Sequence, residues 1–433
     1  MAMDGKELVE KLAKLSQVQS IKDIPHLTHA LFPGTHCPLM GAAMAVGGIK
    51  DSLIVVVGTD ECTYYTKSMT IHSEKFGGID GRCVSVVLDD HDVTFGSAEK
   101  VQEVFKEIIE EYRPQCVFLV TTCVIEIIGD DFDAISEGLS KLYGIPVLPV
   151  HTEHFKCEDH LPGLERTITV CAEMMKSCDC DNSVNLLGQR MGDFATTELY
   201  AMLQKAGVKI GLQLPCGCSV DDIKNAAAAK VNIVVNDIAL PLAQKMQEKF
   251  GIPYVYFNKF VIPEKIYEAY KNLFGYLELE LPEELEGLYQ NAREEIEKNK
   301  GELEGITYIY GNTPYAVFEM NCFLSSLGMV PQVIQTNRYT EADEPYAKEI
   351  LQYTDPYVCK AANIAPLQYV YDVLSPYLYL GHEFGNRLRQ KGIAIVHSDR
   401  TSGMLGFEVT GYLLQQLVKS VREAKEYRKE LGL

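Results

Sequence analysis

Short apolar runs alternate with amphipathic segments along most of this chain, and that alternation leaves few folds open. Leu53-Ile54-Val55-Val56-Val57, residues 83–87, 116–120 and 146–150 are rich in Val, Ile and Leu, as expected of strands covered on both faces. Between them, 101–112 and 132–143 place apolar residues three and four apart, the period of a helix that buries one face. Strand, crossover helix and strand again builds a parallel sheet, because a parallel neighbour cannot be reached by a tight turn.

The same grammar restarts twice. Strands are expected at 183–188, 208–212, 232–235 and 254–257, with helices over 196–206 and 220–229 and a charged helix closing near Lys300. A third unit opens at 306–310 and continues through strands near 331–334, 357–359, 378–380 and 393–396. Residues 4–16 carry apolar positions at helical spacing and predict a leading amphipathic helix. The 433 residues are enough for roughly three domains of about 150 residues. The fold expected is α/β: three Rossmann-like domains, 1–182, 183–300 and 301–433, each a parallel sheet flanked by helices.

Composition narrows the function. Apolar residues at 47% and charged residues at 23% describe an ordinary folded chain, so disorder is not the default. A formal charge of -20 argues against nonspecific binding of nucleic acid or anionic membranes, which need a basic face. No apolar run approaches the length of a membrane span. Thirteen cysteines, an odd number, with no signal-peptide pattern at the start, point to a reducing cytoplasm where thiols stay free or bind metal. Neither a Gly-x-Gly-x-x-Gly nor a Gly-x-x-x-x-Gly-Lys-Ser/Thr loop stands at the strand ends, so any nucleotide-driven energy input is expected from a partner.

Cys37, Cys62 and Cys123 stand out by position. Pro38 suits the first turn of a helix, which puts Cys37 at a helix start, where free N–H groups favour a thiolate. Cys123 falls just past the strand at 116–120, where open α/β sheets present ligands. Three thiolates so placed can converge on one metal centre.

The flanking residues carry a resemblance. Cys37-Pro38-Leu39 with Gly41-Ala42, Gly47-Gly48-Ile49-Lys50-Asp51, Cys62 with Tyr64-Tyr65, Phe95-Gly96, and Thr121-Thr122-Cys123 running to Ile128-Gly129-Asp130-Asp131 resemble the nitrogenase component 1 superfamily over essentially the whole chain. That resemblance implies that Cys37, Cys62 and Cys123 ligate an iron–sulfur cluster at a subunit interface, either a 4Fe–4S cubane or a larger P-cluster-like one. The fourth ligand is left open between another subunit, Asp60 or Glu61, and a cluster shared with a partner's cysteines. Tyr64 and Tyr65 either line an electron path or pack.

The resemblance also implies a function: an oxidoreductase, the catalytic component of a two-component, ATP-driven reductase. It would pass low-potential electrons from a separate iron–sulfur ATPase, similar to the nitrogenase iron protein, to a substrate in an interdomain cavity. Its subunit partner would be a second copy or a paralogue. A metallocofactor-assembly scaffold and a non-catalytic electron-transfer subunit are the alternatives. Where relatives hold a complex metal cofactor by a cysteine and a histidine, this sequence offers Asn236 and Leu405. Neither replaces a soft sulfur or imidazole ligand, so dinitrogen is not the expected substrate.

The segment from His151 to His160 follows a first-domain strand and concentrates histidine, lysine and thiol. His154 and Lys156 are its catalytic candidates, since multi-electron reduction needs proton donors. Cys157, Cys216 and Cys218 are candidates for holding a second, unidentified metallocofactor. Cys178 and Cys180 form a further, weaker pair. Cys83, Cys116, Cys171, Cys322 and Cys359 read as small buried hydrophobes.

Overall fold

A computed structural model describes residues 4–28, 36–71, 79, 81–157, 159–190, 192–311, 313, 315–361 and 364–433. Glu158, within the His151–His160 segment, lies outside the described residues. Three sheets organise the chain. The first orders its parallel strands Cys83–Val87, Ser52–Gly58, Cys116–Thr121, Val147–Val150. Its two central strands are buried at every position, as their unbroken apolar composition requires. The second orders Tyr254–Tyr256, Val231–Val234, Val184–Gln189, Ile210–Pro215, again all parallel.

The third sheet has six strands, in the order Ala13–Lys14, Tyr357–Cys359, Val330–Gln335, Thr307–Tyr310, Leu378–Leu380, Ala394–Val396. All its pairings are parallel except the first, where Ala13 and Lys14 run antiparallel to Val358 and Tyr357. The helix expected over residues 4–16 is therefore shorter. Asp4 caps it, it spans Gly5–Glu10, and the chain then becomes a strand of the third sheet. Leu8 and Leu12 bury against Leu367, Val370 and Tyr371, so the start of the chain packs with its end rather than with the first sheet.

Two smaller differences have local causes. The strand expected at 208–212 runs Ile210–Pro215, which carries it to the edge of Cys216. The helix expected over 220–229 stops at Lys224, where Asn225 turns its side-chain amide back to the Asp221 carbonyl, and a 3-10 turn follows.

A short two-stranded ladder joins the segment before the first sheet to the end of the second. Ile49–Lys50 pairs in parallel with Cys218–Ser219. Helices Pro38–Gly47 and Leu161–Val170 approach so closely that a Cβ on Gly163 would lie 1.8 Å from the Pro38 carbonyl oxygen, and one on Gly41 would lie 1.9 Å from that of His160. Only glycine permits either contact. Among the described residues, no helix is long and apolar enough to cross a membrane.

Candidate functional site

The C-terminal edge of the first sheet gathers the cysteines. Strands Ser52–Gly58 and Cys116–Thr121 lie side by side with Val57 opposite Thr121, and the chain leaving each enters a helix. Cys62 falls in the first turn of helix Asp60–Ile71, and Cys123 is the first residue of helix Cys123–Ile128. The two turns close because a Cβ on Gly58 would meet the Thr122 Oγ1 at 2.0 Å, a position only hydrogen can fill. Cys37 is the N-cap residue of helix Pro38–Gly47, which packs on the helix that carries Cys62.

All three are free, half-buried thiols, and Cys37 and Cys62 border the same apolar cluster. Burial pushes the Cys123 thiol up, and the charge of Cys62 adds to that effect, while the Val124 N–H at the helix start pulls it down. Cys62 and Cys123 thus lie within electrostatic reach of each other, and a cation between them would favour both thiolates. Among the described residues, no group of three or more His, Cys, Asp or Glu side chains converges on a single-ion site.

Glu126 ties this edge to the next loop. Its Oε1 accepts from the Thr121 hydroxyl at 2.8 Å, the Thr152 hydroxyl at 3.0 Å and the Glu153 N–H at 2.5 Å. The Asp130 carboxylate likewise accepts from the Ser97 N–H at 2.7 Å, beneath Gly96. These acids hold the edge together. Around it stand exposed apolar side chains: Tyr64 is 72% exposed, Phe95 75% and Ile127 72%, with Tyr65 and Phe155 also exposed, though Phe95 lies against the His91 ring and Phe155 against that of His154.

The His151–His160 segment is split by its own backbone. Glu153 takes a left-handed conformation, φ 43°, and starts a 3-10 turn, His154–Lys156, that points outward. Lys156 and His154 are exposed, and the Lys156 ammonium pairs with Glu153 at 2.6 Å. They face solvent at the first-sheet edge, so the expectation that they contact an interdomain cavity is corrected. Cys157 is half-buried, donates to the Glu153 carbonyl at 3.3 Å and accepts from Arg166 at 3.7 Å. The histidine that turns inward is His160.

The Nδ1 of His160 is enclosed, and the electrostatic reach of Arg190 extends to it from the strand ends of the second sheet. Arg190 follows Val184–Gln189, Cys216 follows Ile210–Pro215, and Lys259 stands just beyond Tyr254–Tyr256. Arg190 and Cys216 line a pocket with Met44, Leu164 and Pro215. Burial, then the charge of Arg190, holds His160 down to about 4. The same two causes lower Lys259 to about 7, and its ammonium donates to the carbonyl oxygens of Ser402 and, at 3.5 Å, Thr401. Burial raises the carboxyls of Glu165, Glu319 and Asp343, and the charge of Asp237 raises each of them further. Asp237 itself accepts from the Tyr256 hydroxyl and from Asn258 at 3.2 Å. Glu319 also pairs with the Lys265 ammonium at 3.2 Å.

Cys216 and Cys218 part company because Gly217, at φ 85°, turns the chain between them. Cys216 stays at the pocket and donates to the Arg190 carbonyl at 3.1 Å. Cys218 is buried in the apolar core beside Cys171, and its thiol is pushed up to about 12, so it offers that pocket nothing. Cys83, Cys116, Cys171, Cys322 and Cys359 are buried as expected, and Cys178 and Cys180 are exposed. Asn236 spends its side chain capping the Ile238 N–H at 3.2 Å, and Leu405 is sealed in the second-domain core. Arg190 and Lys259 escaped sequence reasoning; the available signal was a basic residue directly after a buried strand, as at Arg190.

The architecture matches solved nitrogenase structures. "Nitrogenase Cp1 at pH 6.5" superposes with a TM-score of 0.77 over 92% of this chain and 94% of that one, at 15% identity. The family described as nitrogenase component 1 type oxidoreductase matches residues 37–422, and the chain belongs to that family. Among curated relatives, the nitrogenase iron-molybdenum cofactor biosynthesis protein NifE of Clostridium pasteurianum is 30% identical over 224 residues, 51% of this chain and 49% of that protein. NifE of Rippkaea orientalis is 25% identical over 73% of this chain and 69% of its own length. The nitrogenase molybdenum-iron protein alpha chain of Methanosarcina barkeri is 25% identical over 68% and 58%. The chain thus spans about half the length of the first of these relatives and more of the others.

Proposed function

We propose that this chain is a catalytic subunit of a nitrogenase-like reductase, working in the cytoplasm with a subunit partner and a separate iron–sulfur ATPase. The observation that carries the reading is the set of free thiols at helix starts on one sheet edge, apart from the strand ends of the second sheet where Arg190 and Lys259 stand. Cys37, Cys62 and Cys123 would hold an iron–sulfur cluster, and their donor chemistry fits it: half-buried, unpaired thiols, two of them from adjacent strand ends. When bound, such a cluster supplies low-potential one-electron transfer.

The chain's own residues then handle substrate and protons. Glu165, Glu319 and Asp343 keep their protons closer to neutrality than ordinary carboxyls do, so they can deliver them as electrons arrive. Asn236 and the core-buried Leu405 stand where a soft sulfur and an imidazole would be needed, which favours an organic substrate over a cysteine- and histidine-held metal cofactor. The exposed Tyr64, Tyr65, Phe95, Ile127 and Phe155 around the cysteine edge suit coverage by a second subunit, either another copy or a paralogue.

A second reading, an assembly scaffold for a metallocofactor, is favoured by the names of the NifE relatives. The two separate in one experiment: anaerobic protein is mixed with a nitrogenase-type iron protein and ATP, and its spectrum is followed. A reductase subunit shows cluster reduction only with ATP and retains its metal. A scaffold instead releases metal to an acceptor protein, and that result would replace the first reading by the second.

A further inference from the structure

Cys178 and Cys180 are exposed, whereas the other eleven free cysteines are buried or half-buried. The pair lies on the crossover between the 3-10 turn Cys171–Glu173, which ends the first domain, and strand Val184–Gln189 of the second sheet. From Met175 to Asp181 that crossover is neither helix nor strand. Its backbone is tied on either side of the pair: the Lys176 N–H donates to the Lys224 carbonyl at 2.9 Å, and the Asp181 N–H to the Ala228 carbonyl at 2.9 Å. Between those ties the Cys178 thiol donates to the Lys176 carbonyl at 3.2 Å. A groove of about 890 Å³, lined in part by Met174, Lys176 and Lys224, opens alongside, so a small molecule has room to approach.

We infer that Cys178 and Cys180 form a dithiol–disulfide site that exchanges with low-molecular-weight disulfides of the glutathione class. One thiolate attacks a sulfur of the small disulfide, which forms a mixed disulfide and releases one small thiol. The second thiolate then attacks the protein-bound sulfur, closes the Cys178–Cys180 bond and releases the other small thiol. The protein loses two electrons and two protons, and the cleaved S–S bond of the reagent takes up both. With one residue between them, the two Cα atoms stand at most about 7 Å apart in any backbone conformation, close to the roughly 4.4–6.8 Å that a disulfide bridges. Closing the ring therefore displaces no helix or strand, and the second attack is intramolecular. Spacing alone does not make such a site. Cys216 and Cys218 share it, but Gly217 turns the chain between them and Cys218 is buried in the core.

The test incubates the anaerobically purified full chain with glutathione disulfide, blocks the remaining thiols by alkylation and maps the tryptic peptide 177–190 by mass spectrometry. Wild type should lose both thiols of this peptide together, as an internal disulfide carrying no glutathione, about tenfold or more faster than half-buried Cys157 is modified. Cys180→Ser should stop at the mixed disulfide and keep one glutathionyl group on Cys178, and Cys178→Ser should keep one on Cys180; dithiothreitol should return all three proteins to thiols. Oxidation of the pair no faster than that of Cys157, or single variants that retain no glutathione, would overturn the inference. Neither variant alters Cys37, Cys62 or Cys123, so a failed exchange bears on this site and leaves the cluster assignment to its own test.

Discussion

Replacing Gly163 with alanine tests how the Cys37 helix is positioned. The added Cβ would stand 1.8 Å from the Pro38 carbonyl oxygen, 2.6 Å from its carbonyl carbon and 2.9 Å from its Cα. All three are backbone atoms, so no rotamer change relieves the clash. Restoring an ordinary carbon–oxygen separation of about 3.3 Å requires the two helices to part by roughly 1.5 Å. Gly41 makes the reciprocal contact with His160, so parting also breaks that fit. Overpacking of this kind costs about 1–3 kcal/mol, and a backbone clash belongs at the upper end. At about 2–4 °C per kcal/mol for a domain of this size, the transition reporting the first domain should fall by about 6–12 °C. Gly138→Ala is the control: it lies in helix Phe132–Tyr143 with no atom within 4 Å of its would-be Cβ, and it should gain up to about 1 kcal/mol from helix propensity. Circular-dichroism melting reads both. A Gly163→Ala transition within about 2 °C of wild type would refute the close-packing argument.

Other predictions follow from the buried His160 and the exposed edge. His160 is held at about 4 against an ordinary 6.5, so unfolded chains take up its proton first as the pH falls; stability is present above 6.5 and is lost between 6.5 and about 4, by about 3 kcal/mol. Glu165, Glu319 and Asp343, with raised values, act in the opposite sense, so the measurement is urea unfolding of wild type against His160→Gln across that window, and identical pH slopes would contradict the assignment. Ile127→Asp and Tyr65→Asp place a charge among exposed apolar groups; if a subunit covers them, sedimentation velocity should show association weakened about 30-fold or more, and unchanged association would move the interface elsewhere. Glu126→Ala removes an acceptor shared by Thr121, Thr152 and Glu153, and should speed amide exchange in the Thr152–Cys157 loop while leaving the second sheet unchanged.

Much of this architecture is written locally. Strand runs such as 53–57 and 116–120 carry their burial in their composition, and Pro38 marks a helix start by its fixed backbone. Cys37, Cys62 and Cys123 could be placed at element ends for that reason. What escaped depends on distant partners or on single backbone turns. Ala13–Lys14 becomes a strand because Tyr357–Cys359 offers it an edge, and nothing near residue 13 announces that. Glu153 and Gly217 each reverse the chain with a positive φ, which sends His154 outward and separates Cys218 from Cys216. Arg190 reads as an ordinary charged residue until the pocket around it is seen.

The central claim is that Cys37, Cys62 and Cys123 hold one iron–sulfur cluster, and iron and acid-labile sulfide analysis of anaerobically purified protein tests it most directly. Wild type should be brown and contain both, each of Cys37→Ala, Cys62→Ala and Cys123→Ala should remove or alter the cluster spectrum, and Cys178→Ala, on the exposed loop, should leave it intact. Unchanged iron, sulfide and spectra in all three variants would contradict the account.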